Sequence, residues 1–179
     1  RPLNSFDQLA CRSEWYTPWG GPPAVRSLAV NGSWVYADIH VGSIMRSPDS
    51  GEHWEPVVAD LDEDVHQVTT SAVLPERVCA NTANGVYVSD DRGQSWEHRS
   101  SGLTHRYGRA IAVDPRKPDL LLASVSRGPH RNVDAQLFRS EDAGCSWTHV
   151  TDGFPSTSDD NIDTFQLAFD AQGSAWAAV

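Results

Sequence analysis

The chain has 179 residues, a formal net charge of −10 and 39% hydrophobic residues. A chain of this length can bury a core of its own, but its acidic balance argues against a surface that binds nucleic acid or anionic lipid. The three cysteines, Cys11, Cys79 and Cys145, form no CxxC or Cys/His cluster, and no apolar run approaches the roughly 18 residues of a membrane span. The composition therefore argues against a zinc site, a full disulfide framework and a membrane-spanning helix.

Four short segments follow one another in the same order three times along the chain. The first unit reads "VRSLAVN", "WVYAD", "SIMRS" and "WEPVV". The second reads "VHQVTTS", "RVCAN", "GVYVS" and "WEHRS", and the third reads "GRAIAVD", "LLLASV", "QLFRS" and "WTHV". Their β-branched and aromatic residues, with Gly, Pro, Asp and Ser between them, are typical of strands joined by turns. Each unit is predicted to be four antiparallel strands, over residues 24–59, 64–101 and 107–151.

A polar turn with fixed spacing joins the third and fourth segments of every unit. The copies "SPDSGEHW", "SDDRGQSW" and "SEDAGCSW" share the pattern S-x-D-x-G-x-x-W. The residues are Ser47, Asp49, Gly51 and Trp54; Ser89, Asp91, Gly93 and Trp96; and Ser140, Asp142, Gly144 and Trp147. The aspartate can accept backbone N–H bonds, the glycine can adopt a positive φ, and the tryptophan can wedge between sheets. Repeats about 40 to 50 residues apart are typical of propeller blades.

The two ends of the sequence are predicted to be partial blades. "TFQLAFD" aligns with the first segment of each unit, so residues 163–179 should supply two strands. At the other end, residues 1–3 align with residues 55–57, so 1–15 should carry an outer strand. The chain reads as a fragment with two open edges, which other blades or a second copy would have to cover. A leader segment could lie outside it, so the compartment stays open.

These boxes resemble the Asp-box, or BNR repeat, of sialidases, xyloglucanases, sortilin-type receptors and uncharacterised bacterial glycosyl hydrolase-like propellers. The resemblance implies an all-β propeller, usually with six or seven four-stranded blades, in which the boxes lie on the periphery and stabilise hairpins. A calcium loop is the other interpretation of D-x-G, but the EF-hand ligand spacing and its bidentate glutamate are missing. No metal or cofactor is expected.

The candidate ligand site lies on the loop face, the end of the blades where the chain enters each inner strand. Alignment of the inner strands places Arg26, His66, Arg109 and Phe165 in one column. Arginine and histidine can hold a carboxylate or phosphate, and aromatic rings can stack on a sugar or grip a peptide. The predicted ligand-binding residues are Arg26, His40, His66, Arg109, Arg127, His130, Trp19 and Tyr107.

Acidic residues on the same face leave an enzyme interpretation open. Asp64 and Asp163 could act as the acid and base of a glycosidase. A sialidase F-R-I-P segment is absent from the sequence, and three cysteines cannot supply the cysteine-rich module of a sortilin-like receptor. The expected function is binding of a protein or of a small anionic or sugar ligand. The alternatives are a sialidase- or xyloglucanase-like glycoside hydrolase and a purely structural module.

Overall fold

The computed structural model describes residues 4–58 and 60–178 and is almost entirely β. Helix α1 spans Asn4–Asp7, and a 3-10 helix spans Ala10–Glu14. The strands are β1 (Val25–Asn31), β2 (Trp34–Ile39), β3 (Ile44–Ser47), β4 (Glu55–Pro56), β5 (Val65–Thr70), β6 (Val78–Thr82), β7 (Gly85–Ser89), β8 (Glu97–His98), β9 (Tyr107–Val113), β10 (Leu121–Ser126), β11 (Gln136–Ser140), β12 (Thr148–His149), β13 (Leu167–Phe169) and β14 (Ala175–Ala177).

The strands form three four-stranded antiparallel sheets, each built from consecutive strands, and one two-stranded sheet. We call β1–β4 blade 1, β5–β8 blade 2, β9–β12 blade 3 and β13–β14 the inner pair. Each sheet is a simple up-and-down meander, because every strand pairs with the strand that follows it in the chain. The predicted all-β propeller of four-stranded antiparallel blades is confirmed.

The core lies between successive blades. On β6, Val78 and Ala80 pack toward blade 1, whereas Cys79 packs toward blade 3. On β9, Ile111 faces blade 2 while Ala112 faces the inner pair. This alternation is the period of two that places successive side chains on opposite faces of a strand. Full burial of a Val or Leu side chain contributes about 1.5–3 kcal/mol, so packing of the faces holds the blades together.

The three S-x-D-x-G-x-x-W boxes form nearly identical turns. Ser89 Oγ accepts the Gly93 N–H at 2.7 Å and donates to Asp91 Oδ1 at 2.8 Å. The same carboxylate accepts the N–H of Ser95 at 2.8 Å, and Gly93 adopts a φ of 82°. Burial raises the pKa of Asp91, but the hydrogen bonds from Ser95 and Ser89 outweigh it and lower that pKa to about 2. The boxes therefore fix the hairpins through their own hydrogen bonds.

The N-terminal segment differs from the predicted partial blade at 1–15. Residues 1–3, the predicted outer strand, lie outside the described residues, and residues 4–15 contain the two short helices Asn4–Asp7 and Ala10–Glu14 and no strand. The centroid of the Phe6 ring lies 5.4 Å from that of the Trp15 ring and 5.0 Å from that of the Trp54 ring. These aromatic rings cover Ala37 and Met45 of blade 1. "NSFDQLACRSEW" has no β-branched residue to favour a strand, and its apolar side chains cover an edge that was predicted to be open.

Candidate functional site

A bulge interrupts each of the three inner strands at the same place. The pairing register of β1 with β2 shifts between Val25 and Ser27, and that of β5 with β6 shifts between Val65 and Gln67. On blade 3, the two residues Arg109 and Ala110 of β9 lie opposite the single residue Ser124 of β10, so the pairing register shifts there. A bulge bends its strand and redirects a side chain. The residues redirected here are the predicted basic column, Arg26, His66 and Arg109.

Buried polar residues on the second strands hold these bulges. Asp38 Oδ1 accepts the Ser27 N–H at 2.7 Å and also the Ser27 hydroxyl, whose oxygen accepts the Val68 N–H of blade 2. Burial raises the pKa of Asp38 to about 6. The equivalent residue of blade 2, Asn81, donates to the carbonyls of Ala110 and Ser124, each at 2.9 Å. The bulges are thus cross-linked from blade to blade.

His66 lies at the centre of the residues that the bulges bring together. Its Nδ1 hydrogen-bonds to the carbonyl of Gly108, and its Nε2 lies 3.1 Å from Asp64 Oδ1. Arg26 Nη1 is 3.9 Å from the same carboxylate oxygen, and Arg26 Nη2 is 2.7 Å from His40 Nδ1. We call Arg26, His40, His66 and Arg109, with the carboxylates Asp64 and Asp163, the basic cluster.

Aromatic rings surround the basic cluster. The Tyr107 ring lies 4.8 Å from the His66 ring, and the Arg109 guanidinium carbon lies 5.1 Å from the Tyr107 centroid. Trp19 contacts the His40 ring edge to face at 4.3 Å and is 70% exposed. Arg109 Nη1 is 3.4 Å from Asp163 Oδ1. Six of the eight predicted ligand-binding residues therefore lie together.

The other two predicted ligand-binding residues lie in the loop between β10 and β11. Arg127 pairs with Asp134 at 3.1 Å and is largely exposed, and His130 is also exposed. His105 and Gln136 bind the same Asp134 carboxylate. This loop thus has its own hydrogen-bond network, in which Arg127 supports the loop.

Burial and charge set the protonation of the basic cluster. Burial, followed by the nearby Arg26 charge, lowers the pKa of His40 to about 4, so this imidazole is neutral at pH 7. Burial alone would raise the pKa of Asp64, but His66 and Arg26 beside it bring that pKa below its usual range. Asp64 is therefore a carboxylate, and it lies against the buried ring of His66.

Four buried polar atoms, three in the basic cluster and one in Asp38 behind it, lack a hydrogen bond among the described residues. They are Asp38 Oδ2, Asp64 Oδ1, His66 Nε2 and Arg109 Nε. His66 Nε2 and Asp64 Oδ1 are close but poorly aligned for a hydrogen bond. Buried polar groups are almost always paired in native proteins, so such a concentration calls for an explanation. The cluster has hydrogen-bonding capacity left for a further group.

The boxes lie at the other end of the blades. In blade 1, Ser47 pairs with Val35 at one end of the β2–β3 ladder, whereas Asp38 pairs with Ile44 at the other. The box follows Ser47, and the basic cluster surrounds the Asp38 end. Box residues thus have no contact with the cluster within the part of the chain that the structure describes.

The supporting residues Ser27, Asp38, Asn81 and Gly108 were not predicted from the sequence. Asp38, Asn81 and Ser124 occupy equivalent positions of the second strands, so an alignment of those strands would have placed them in one column.

Among residues 4–58 and 60–178, no group of three or more His, Cys, Asp or Glu side chains is arranged as a metal site would be. In that same part of the chain, no helix is long and apolar enough to cross a membrane.

Comparison with known proteins places these features among β-propellers. The Sortilin-Vps10 family, described as sortilin, neurotensin receptor 3, matches residues 42–162. A probable oligoxyloglucan-reducing end-specific xyloglucanase of Neosartorya fischeri is 27% identical over 172 residues, which cover 85% of this chain and 19% of that protein. The chain thus spans about a fifth of this relative's length.

Solved structures with the same fold include the following two. An ancestral GH74 enzyme superposes with a TM-score of 0.66 at 19% identity, over 82% of this chain and 20% of that one. YCF48 bound to D1 peptide superposes with a TM-score of 0.59 at 15% identity, over 89% of this chain and 47% of that one. At these identities the similarity concerns the propeller fold alone.

Proposed function

The chain belongs to the Sortilin-Vps10 family, and we propose that it is a binding propeller that recognises an anionic ligand, a peptide or a small molecule, through its loop face. The family match spans residues 42–162, which are propeller blades. Three cysteines cannot supply a cysteine-rich module, but the family match lies in the propeller, so the cysteine count was wrong as evidence against this family. The Asp-box and sialidase-like resemblance and the number of blades stay predictions.

The observation that carries the proposal is the unused hydrogen-bonding capacity of the basic cluster. Arg109 Nε is buried without a hydrogen-bond partner among the described residues, and His66 Nε2 has only the poorly aligned contact with Asp64. Both lie beside the Tyr107 ring, on the face where Trp19 is exposed. A carboxylate placed there would accept charge-assisted hydrogen bonds, each contributing about 1.5–3 kcal/mol, and its apolar part could lie on the rings.

One comparison supports binding. The matched family is described by the name of a receptor. Ligand binding at the loop face needs no reacting group. It needs only hydrogen-bond donors and stacking surfaces that are held in place. The three bulges supply that rigidity here.

The test is titration of the whole protein with short acidic peptides and their amidated neutral counterparts, followed by Trp fluorescence and calorimetry. Arg109→Gln should weaken binding of the acidic peptides at least tenfold, which corresponds to about 1.4 kcal/mol. Arg131→Gln, at an exposed arginine of the β10–β11 loop, is the matched control and should leave the affinity unchanged. Equal affinity for acidic and neutral peptides would contradict the proposal.

A glycoside hydrolase is the second candidate, favoured by the similarity to the xyloglucanase. Asp64 contacts His66 and Asp163 pairs with Arg109, so both carboxylates lie in the basic cluster. However, a glycosidase needs one carboxyl group that keeps its proton, with a raised pKa. Asp64 has a lowered pKa, and Asp163 is ion-paired with Arg109 and is half exposed. Binding therefore fits these carboxylates better.

The hydrolase is tested with xyloglucan oligosaccharides. Release of reducing ends by the protein, lost in Asp64→Asn and Asp163→Asn but kept in the control Asp160→Asn, would establish the enzyme. No release, with binding of acidic peptides, supports the binding propeller.

A further inference from the structure

The basic cluster holds as many carboxylates as guanidinium groups. Asp64 Oδ1 lies 3.9 Å from Arg26 Nη1, and Asp163 Oδ1 lies 3.4 Å from Arg109 Nη1. Aspartates of the chain itself therefore already offset both guanidinium charges. An anionic ligand that binds in the cluster must compete with one of these two carboxylates.

Asp64 is fixed in the cluster by contacts from two blades. Its Oδ1 lies 3.1 Å from His66 Nε2 of blade 2, in addition to its contact with Arg26 of blade 1. The Asp64 N–H also donates to Asp62 Oδ1 at 3.0 Å, which holds the backbone of this residue. Asp64 thus belongs to the frame of the site, and a ligand would have to break several contacts to displace it.

Asp163 is held less firmly than Asp64. The ion pair with Arg109 is the one polar contact that the Asp163 carboxylate makes within the described part of the chain. At 3.4 Å, this contact is longer than the usual N–H···O hydrogen bond of about 2.7–3.2 Å. It also leaves Arg109 Nε without a hydrogen-bond partner among the described residues. Arginine binds a carboxylate best through two parallel hydrogen bonds, so Asp163 uses only part of what Arg109 offers.

The backbone on both sides of Asp163 is anchored. Ile162 is fully buried, so its side chain holds the preceding residue in the core. On the other side, the Thr164 hydroxyl donates to the carbonyl of His66 at 2.8 Å. The half-exposed Asp163 side chain can therefore turn away from Arg109 while the loop keeps its conformation.

We propose that Asp163 is an internal counter-ion, which a carboxylate of the ligand displaces from Arg109. This inference rests on the proposed function and adds to it the residue that limits affinity. The ligand carboxylate pairs with Arg109 Nε and Nη, and Asp163 turns toward solvent. Arg109 keeps its place during the exchange, because its guanidinium carbon lies 5.1 Å from the centroid of the Tyr107 ring, within the range of a cation–π contact. Asp163 thereby excludes anionic groups that pair with Arg109 no better than it does itself.

Calorimetric titration of the whole protein with the acidic peptides and their amidated counterparts tests the exchange. Asp163→Asn should bind the acidic peptides about fivefold more tightly than the parent protein, because no carboxylate then competes for Arg109. Binding of the neutral peptides should not change. Asp160→Asn is the matched control, since it removes the same charge from an exposed position of the same loop and leaves the Arg109 ion pair intact. This control should keep the parent affinity.

The Nε–H resonance of Arg109 gives a second readout, which a general loss of negative charge would not move. Addition of an acidic peptide to the parent protein should shift this resonance, because Nε gains an acceptor that Asp163 does not supply. The neutral peptide should leave it in place. A shift in the parent protein together with tighter binding by Asp163→Asn supports the exchange.

The possible results separate this inference from the proposed function. If the parent protein binds acidic peptides through Arg109 and Asp163→Asn binds them no more tightly, the exchange is wrong and the binding propeller stands. If only Asp163→Asn binds them, the exchange is supported, and Asp163 blocks the site in the parent protein. Absence of binding by both proteins would overturn the exchange and the proposed function together.

Discussion

At the scale of single residues, the position of His66 depends on a neighbour that has no side chain. Gly108 accepts the His66 Nδ1 hydrogen bond through its carbonyl. A Cβ at Gly108 would collide with the amide of Asn81, which itself holds the blade 3 bulge. The glycine is therefore required by a close approach between blades, and the geometry of the cluster follows from it.

Gly108→Ala tests this dependence. We expect a loss of about 1–3 kcal/mol in the free energy of unfolding, because overpacking forces the backbone apart, and a shift in the His66 ring resonances. Urea unfolding and NMR measure the two effects. Gly128→Ala is the matched control, since a Cβ there meets nothing within 4 Å and φ is not positive. Equal effects of the two substitutions would contradict the role of Gly108.

Asp38 should make stability depend on pH. Its folded pKa of about 6 lies above the unfolded value of about 3.9, so the folded state binds more protons between these values. The contribution of Asp38 to stability is then fully present below about pH 4 and is lost as pH rises through 6. Asp38→Asn, which copies Asn81 of blade 2, should therefore stabilise the protein more at pH 8 than at pH 4.5. Melting temperatures of both proteins at both pH values measure this, and a pH-independent difference would contradict it.

At the scale of elements, each box is a self-contained turn. Asp91 accepts hydrogen bonds from the N–H groups of Gln94 and Ser95 and from the Ser89 hydroxyl. Asp91→Ala should cost about 1–3 kcal/mol, because it removes hydrogen bonds that each contribute about 0.5–1.5 kcal/mol. Ligand affinity should not change, because the box lies at the opposite end of the blade from the basic cluster. Urea unfolding and peptide titration measure the two, with the exposed Asp152→Ala as control; a loss of affinity without a loss of stability would contradict it.

The boxes and strand columns could be predicted from the sequence because each rests on local spacing. The alignment of the inner strands also predicted that Arg26, His66 and Arg109 lie close together, because it places them in one column. The bulges could not be predicted, since a bulge is a mismatch between two strands and the period of two along one strand does not show it. The helical N-terminal segment was missed for a related reason, because residues 4–15 are placed by their packing against blade 1.

At the scale of the whole molecule, stability depends on how completely each blade face is covered. Propeller blades pack face to face, so an uncovered face exposes the apolar rows that elsewhere form the core. The N-terminal segment covers the outer row of blade 1 with the rings of Phe6 and Trp15. These twelve residues therefore act as part of the propeller, although they contain no strand.

Phe6→Ala tests that role. Phe6 is 9% exposed and contacts the rings of Trp15 and Trp54, so truncation should leave a cavity over Met45. We expect a loss of about 3–5 kcal/mol in the free energy of unfolding, with increased binding of an apolar dye. Val58→Ala, at a valine that is 88% exposed, should stay within about 0.5 kcal/mol of the parent protein. If Phe6→Ala behaved like this control, the segment would not be packed on blade 1, and the face of that blade would need another cover.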